Sequence, residues 1–533
     1  MSETKPEESG SGTPEAPARE KAVLAALLLA AVVCNVNFAA ATVSLPDIGA
    51  SFDASQTNLN LVGLGTGLGL SMSVLYFGAV ADRYGRKQLL LLGMALTVVA
   101  SLLSAFAPSV EILIFARVFT GLAAGMSYPT TLSLITALWA DGPKRTNAIA
   151  LWAGVGGMAS VSGGVLAGAV LAISSWHIAF LLSIPFALIA IYLVASAIPS
   201  HVGESSEPVD HLGGILSTIG IASLVLGIGL VFAPGGVAVG ATLLALAAVM
   251  IALFVLRQRR APNPLYDLNI ARRRLFWAPA LAGMIAFGSL IGAMFVGEQY
   301  MQNILGYSPL GAGAAVVPAA LGLVLMAPVA ARTVTGSGTR KAMMIGYSLI
   351  FLAFLTMLAW REHTGYWLIG LGFFIIGAGA AFVVTASSRS LTSSTPLRRV
   401  GIASATSDLQ NDLGGSIMQA LLGAVLAGGF AGEFRNIIRS SGAEHHISHE
   451  VTRALQASFA SAEHVATGFP RFSGDILEAA RQSLLAGSLE AYLIGAVAIL
   501  GGFAVVWFGL PSGDREAELR EDYAKVDQVP DPT

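Results

Sequence analysis

Gly78-Ala79-Val80-Ala81-Asp82-Arg83-Tyr84-Gly85-Arg86-Lys87 sets one acid among three cations and brackets it with glycines. Apolar runs at about 58–80 and 89–107 flank it and partly overlap it. A run of about 20 apolar residues is long enough to cross a bilayer, so the stretch is the charged hairpin between two membrane helices. Gly78 allows close helix approach, Gly85 suits a tight turn with positive φ, and Asp82 can pair with the cations around it. A loop that only snorkels basic side chains to the interface would account for the cations, but not for Asp82 with its glycines.

Outward from this hairpin the chain repeats its apolar half. Of 533 residues 55% are hydrophobic and only 12% charged, against about 25% charged in a typical soluble domain. That composition selects a polytopic membrane protein, and sixty glycines suit helices that pack closely in lipid. Fourteen spans are predicted, at about 22–45, 58–80, 89–107, 110–138, 147–172, 177–198, 213–232, 237–256, 276–302, 312–331, 342–360, 365–387, 401–428 and 484–509. An even number puts both termini on one side. That side holds twenty-three Lys and Arg residues and the other six, five of them in one long loop, so both termini are expected in the cytoplasm. The first run is too long for a signal peptide and is followed by more membrane helix. The single cysteine, Cys34, excludes an intramolecular disulfide. The net charge of −2 says nothing about partners.

The expected fold class is an all-α polytopic membrane protein with two six-helix bundles and two inserted helices. Residues 1–21 are polar and rich in Pro, Gly and Glu, as in a disordered cytoplasmic tail. The N-terminal bundle covers 22–199, a linker with two short spans covers 200–275, the C-terminal bundle covers 276–510, and 511–533 is a second cytoplasmic tail. Repeat architecture of this kind is common in secondary transporters. The loop after the tenth span, 328–341, has the basic character of 78–87 without its acid. The one long external loop, 429–483, carries Ile447, Val451, Ala454, Leu455 and Phe459 at helical spacing, which predicts an amphipathic helix. It serves either as a cap over the outer surface or as a gate.

Thr406-Ser407-Asp408-Leu409-Gln410-Asn411-Asp412-Leu413-Gly414-Gly415 places two carboxylates four residues apart in the thirteenth span, hence on one helical face. They lie about 10 and 16 Å from its inner start, near the midplane where transporter sites cluster. An ionisable group there costs roughly 2.5–3.5 kcal/mol on insertion scales. Burial and mutual repulsion disfavour two charged carboxylates, so the pair can hold a proton or a cation and exchange one for the other. Helix–helix hydrogen bonding through Asp408, Gln410 and Asn411 is the other reading. Arg117 is a cation about 10 Å deep in the fourth span, where it needs an acid or a carbonyl as partner. Glu298 lies late in the ninth span as a vestibule acid or a proton-access group, and Glu490 in the fourteenth is similar.

The hairpin of Gly78, Asp82, Arg83, Gly85 and Arg86 resembles the signature loop of the major facilitator superfamily. There such an acid and its basic neighbours form a cytoplasmic latch, made in one access state and broken in the other. The resemblance implies a partner at Arg398 or Arg399. Leu113-Ile114-Phe115-Ala116-Arg117-Val118-Phe119-Thr120-Gly121 is similar to the superfamily's span-4 motif, whose arginine is associated with proton coupling; a structural ion pair is the alternative. Asn37-Phe38-Ala39-Ala40-Ala41-Thr42-Val43-Ser44-Leu45-Pro46 is similar to the first-helix signature of the fourteen-helix drug:proton antiporters, with Asn37 in place of the usual acid. Asn37 can bond a substrate but cannot titrate. The stretch from Gly154 to Gly164 is similar to the antiporters' glycine-proline motif, with Ala159-Ser160 where Gly-Pro is expected and the proline kink therefore missing. Ser175-Trp176-His177, Tyr300-Met301-Gln302-Asn303 and Gly401-Ile402-Ala403 extend the resemblance along most of the chain. Within the family, the acid pair looks most like the quaternary-ammonium and multidrug efflux pumps.

These readings converge on proton-coupled efflux of hydrophobic, cationic drugs or antiseptics across the plasma (inner) membrane by alternating access. Asp408, Asp412, Arg117 and Glu298 would carry proton coupling and cation recognition, with Asn37, Gln302 and Asn411 lining the cavity. Asn37 and Ala159-Ser160 keep open an exporter of a lipid, fatty acid or other metabolite, without proton coupling. A sensor or scaffold without flux is the third reading. No ATP-binding glycine loop, metal-ligand cluster or nucleophile triad occurs, and His445, His446 and His449 group in the external loop. A non-enzymatic monomer is therefore expected, with no cofactor, no metal and no nucleic acid; its partners are protons, lipid and a small molecule.

Overall fold

The computed structural model describes residues 20–139, 142–200, 202, 207–395, 400–442 and 447–528. Among them every regular element is a helix. The first set comprises α1 (Glu20–Val43), α2 (Leu45–Phe52), α3 (Gln56–Tyr84), α4 (Arg86–Ala105), α5 (Val110–Leu138), α6 (Pro143–Leu171), α7 (Trp176–Leu181) and α8 (Ser183–Ala197). Next come α9 (His211–Val231), α10 (Val237–Gln258) and the one-turn α11 (Leu268–Ala271). The last set is α12 (Arg274–Asn303), α13 (Pro309–Ala315), α14 (Val317–Ser337), α15 (Thr339–Leu358), α16 (Tyr366–Ser393), α17 (Val400–Ser440), α18 (His449–Ala457), α19 (Phe459–Gly468), α20 (Ser473–Gly509) and α21 (Gly513–Gln528). Thirteen segments among the described residues are long and apolar enough to cross a membrane. The 29-residue α6 covers the predicted span 147–172 and completes fourteen.

Local chemistry explains the boundaries. Ser55 caps α3 through the Asn58 N–H at 3.2 Å, and Ser109 caps α5 through that of Ile112. The sixth span is broken into α7 and α8 beside Pro185, and the tenth into α13 and α14 beside Pro318, because proline removes a helical donor. The external loop is shorter than the predicted 429–483. α17 runs on to Ser440 by burying Phe430, Phe434 and Ile438 one turn apart, and α20 starts early by burying Ala479, Ala480 and Ser483. What remains holds two short helices, which bury Leu455 from α18 and Phe459, Ala462 and Ala466 from α19.

The two sets meet near the end marked by Ser55. Gly49 of α2 touches Ala460 of α19, Gly168 of α6 packs on the Leu310 backbone and Gly164 lies against Gly313; nearer mid-bundle, Gly67 of α3 lies against Ser416 of α17. A side chain at Gly168 would collide with backbone. Of the inserted pair, α9 wedges between the sets, joining Leu64 and Leu68 of α3 to Ala420 of α17 through Ile221 and Val225. α10 leans on α9 through Gly240 at Val231 and is otherwise largely exposed. The foot of α9 is tied by buried Asp210, which accepts from the Gly213 N–H, Arg257 and Gln258 at 3.0–3.1 Å. Residues 511–533, expected as a tail, contain α21; 1–19 and 529–533 lie outside the described residues.

Candidate functional site

Three faces of α17 have distinct neighbours. Gln410 and Gly414 turn to α12, where Gly283 lies against Gln410, and Gly414 and the Met284 carbonyl approach closely. The Ser387 hydroxyl of α16 stands 3.0 Å from Gln410 Oε1 and 2.8 Å from the Pro279 carbonyl. Leu409, Leu413 and Ile417 turn to the α3–α9 cluster. At 3.6 residues per turn the remaining face carries Asp408, Asn411 and Asp412, all half-buried. Asn411 Oδ1 has no hydrogen-bond partner among the described residues. Packing is thus done by the other two faces, and the acids are left for the space between the sets.

Across that space stands an aromatic pair from the first set. Tyr128 of α5 lies within electrostatic reach of both Asp408 and Asp412 and bonds Asn35 of α1. Its ring centroid is 5.1 Å from that of Trp152 on α6, and the Trp152 indole N–H is satisfied by Thr131 Oγ1 at 2.8 Å. Gly156 lies beside the Tyr128 hydroxyl. The arrangement sets two carboxylates within electrostatic reach of a tyrosine that packs on a buried tryptophan, groups able to hold an organic cation.

Arg117 is fully buried. Its Nη2 donates to the Asn37 carbonyl at 2.6 Å, and its guanidinium lies 4.9 Å from the Phe180 ring centroid. Nε and Nη1 find no partner among the described residues. Of the two partners expected for it, the structure supplies the carbonyl. The Asn37 side chain is turned to α4, where its Oδ1 accepts from Ser101 at 3.4 Å, and it is not brought to the acid pair.

Glu298 and Gln302 stand elsewhere too, at the Ser55 end. Glu298 is buried beside Thr42 of α1, with Oε2 unpartnered. Next to it Gln299 accepts from Gln56 of α3, Gln56 also donates to Asn60 at 3.0 Å, and Asn60 donates to the Gly423 carbonyl. Gln302 is buried and its Nε2 is unpartnered. The sequence-predicted residues therefore form two groups, an acid face near mid-bundle and a polar seam at one end.

At the other end Gly85 adopts φ 115°, as its place in the hairpin predicts. Asp82 pairs with Arg86 at 2.8 Å, Arg83 is exposed, and no atom lies within 4 Å of where a side chain would begin at Gly78. Arg398 and Arg399, the partners implied for Asp82, lie outside the described residues, as do His445 and His446. Sequence reasoning missed Tyr128, Trp152, Gln56, Asn60 and Gln299. The amides Gln56 and Asn60 did carry a signal, since they are polar at i and i+4 on a membrane helix.

The family model of the Major Facilitator Superfamily matches residues 27–418. The chain is 30% identical to the "Multidrug efflux pump LfrA" of Mycolicibacterium smegmatis, over 93% of this chain and 98% of that one. It is 27% identical to the "Methyl viologen resistance protein SmvA" of Salmonella typhimurium, over 93% and 99%. With the "Quinolone resistance protein NorB" of Staphylococcus aureus it shares 30% identity, over 72% and 83%. Among solved structures, a bacterial homolog of the human lysosomal transporter Spinster, in an inward-facing and occupied conformation, superposes with a TM-score of 0.61 at 16% identity, covering 95% of this chain and 99% of that one.

Proposed function

Because this chain belongs to the major facilitator superfamily of membrane transporters, we propose that it exports cationic, hydrophobic drugs from the cytoplasm in exchange for protons. The observation that carries this reading is the acid face of α17 opposite Tyr128 and Trp152. A cation entering this space meets carboxylates for its charge and rings for its apolar body, while a proton competes for the same oxygens. Names of similar proteins point the same way, since multidrug, methyl viologen and quinolone resistance are among them. The contacts between the two sets lie toward the Ser55 end, which supports a state closed outside and accessible from the cytoplasm. Alternating access then rocks the set α1–α8 against α12–α20, with both termini in the cytoplasm and the protein in the plasma membrane as a monomer. Arg117 steadies the α1 backbone beside this site, and Asp82 latches the cytoplasmic side.

The test is ethidium-induced proton release from purified protein and ethidium efflux from vesicles. Asp408→Asn and Asp412→Asn are each expected to cut both by on the order of tenfold or more, the scale of a coupling free energy of 1–3 kcal/mol. Full efflux with its pH dependence intact in both variants would remove the acid face from the mechanism. Asn37 favours a second reading, export of a lipid or metabolite without proton coupling, because no acid stands at that place in α1. No proton release with any cationic dye would select it.

A further inference from the structure

Two elbows of the chain are built on one plan. α3 with α4 and α13–α14 with α15 begin and end at positions offset by the same 253 residues, from Gln56 and Pro309 to Ala105 and Leu358. Each turns at one glycine with positive φ, Gly85 at 115° and Gly338 at 84°, a conformation glycine adopts without steric cost. The offset puts Thr335 where the first elbow has Asp82, and Thr339 where it has Arg86. In the first elbow Asp82 holds Arg86 across the turn at 2.8 Å. In the second, Thr335 is exposed and, among the described residues, its hydroxyl bonds only carbonyls of its own helix. The second elbow carries no acid of its own.

A carboxylate nevertheless stands there. Glu516 of α21, 177 residues along the chain, accepts the Thr339 N–H at 3.1 Å and the Thr339 hydroxyl at 2.6 Å. It is buried at 4% exposure, and Arg520 donates at 2.5 Å to Oε1, the oxygen that also takes the Thr339 hydroxyl. An acceptor at the first N–H groups of a helix satisfies orphan donors and meets the positive end of the helix dipole. α21 is fixed to other feet as well. Arg273, at the foot of α12, pairs with Asp527 at 2.5 Å, lies 4.9 Å from the Tyr523 ring centroid and donates to the Ser394 carbonyl beyond α16. Arg274 donates to the Gly509 carbonyl that ends α20.

We propose that Glu516 is a positioning residue of the transport cycle, supplying from α21 the carboxylate that the α14–α15 elbow lacks, so that the elbow moves as one piece with the feet of α12, α16 and α20. The substrate plays no part in this assignment.

Hydrogen exchange of the full-length protein in lipid nanodiscs, over 338–345, reads the elbow without any substrate; vesicle efflux of ethidium reads the cycle. Glu516→Gln is expected to speed exchange of the first α15 turn about tenfold, as loss of a helix cap does. It should lower the maximal efflux rate at least ~3-fold with KM unchanged, as loss of an interaction outside the binding site does. Adding Thr335→Asp, which returns the acid to the elbow itself, should restore both readouts, and Glu516→Asp should retain them. A Glu516→Gln protein that exchanges and transports like the parent overturns the proposal, and so does failure of Thr335→Asp to rescue it. If Glu516→Gln does not reach the membrane, Thr339→Val removes the hydroxyl bond alone; it is expected to move both readouts the same way by a smaller factor, and parental values would overturn the proposal equally.

Discussion

At the Ser55 end the two helix sets are joined by neutral amides, with Gln56, Asn60, Gln299 and the Gly423 carbonyl in one chain of hydrogen bonds. At the Gly85 end three strong contacts among the described residues are ionic and lie inside one set: Asp82 with Arg86, Arg273 with Asp527, Glu516 with Arg520. The difference follows from what each contact has to do. In the proposed alternating-access cycle a contact across the sets must break and reform, inside a layer without water. A neutral hydrogen bond contributes a net of about 1 kcal/mol and is easily exchanged, whereas parting a buried ion pair leaves charges that cost roughly 3–5 kcal/mol. Contacts within a set never part, so they can be ionic. In this state charge marks what is held together within a set, and amides mark where the sets meet.

The largest break in this comparison is a charge placed in the seam. Asn60 is 6% exposed and uses both ends of its amide, accepting from Gln56 and donating to the Gly423 carbonyl. Asn60→Asp keeps the acceptor and turns the donor into an oxygen facing a carbonyl. An uncompensated buried charge costs roughly 3–5 kcal/mol, enough to make the shut seam a minor state. A cysteine introduced beside Gln299 should then react rapidly with a membrane-impermeant maleimide added outside, and ethidium efflux should fall by at least ~10-fold. Slow labelling, as in the parent, would mean that this chain of amides is not what closes the seam.

Glu298 is the exception that sharpens the rule, a carboxyl set among the amides. Thr42 bonds it from α1, Gln56 and Asn60 of α3 are neutral, α2 brings only the exposed Asp47, and Tyr492 of α20 lies by Gly297 next to it. With no cation beside it among the described residues, a charged Glu298 resists burial, so closing the seam is expected to take a proton from outside. Label distances across the Ser55 end should therefore lengthen as external pH rises from about 6 to 9, and Glu298→Gln should hold them short throughout, a smaller effect than that of Asn60→Asp. Lengthening that persists in Glu298→Gln would assign the pH response to another group.

Span count and the positive φ at Gly85 were legible because hydropathy and glycine act locally. The acid face was legible for the same reason, since spacing of four residues fixes a helical face. Orientation relative to other helices was not. Nothing local distinguishes Asn37, turned to Ser101, from Asn411, beside the acids, nor tells that Tyr128 of α5 faces α17 from across the space. The breaks at Pro185 and Pro318 were written in the chain but masked by apolar runs long enough to cross in one piece. The polar helix α21 carries no apolar signal, so in the sequence it looks like a tail. Its docking depends on Arg273 and Thr339, far away in sequence, and nothing local to the helix points to them.

Asp82 offers the smallest perturbation and the cleanest separation of stability from motion. Its side chain is 48% exposed and its partner Arg86 17%. A pair this open contributes about 0–1 kcal/mol, so Asp82→Asn should leave thermal unfolding in detergent within a degree or two of the parent. If Asp82 only held its own elbow, efflux would be equally untouched. If it also latches the other set once the Gly85 end closes, the maximal rate should drop ~3-fold or more with unfolding unchanged, because the lost contact belongs to a state the resting protein does not occupy. Parental efflux in Asp82→Asn would confine its ion pair to one set and extend the rule drawn from the two ends to the whole cycle.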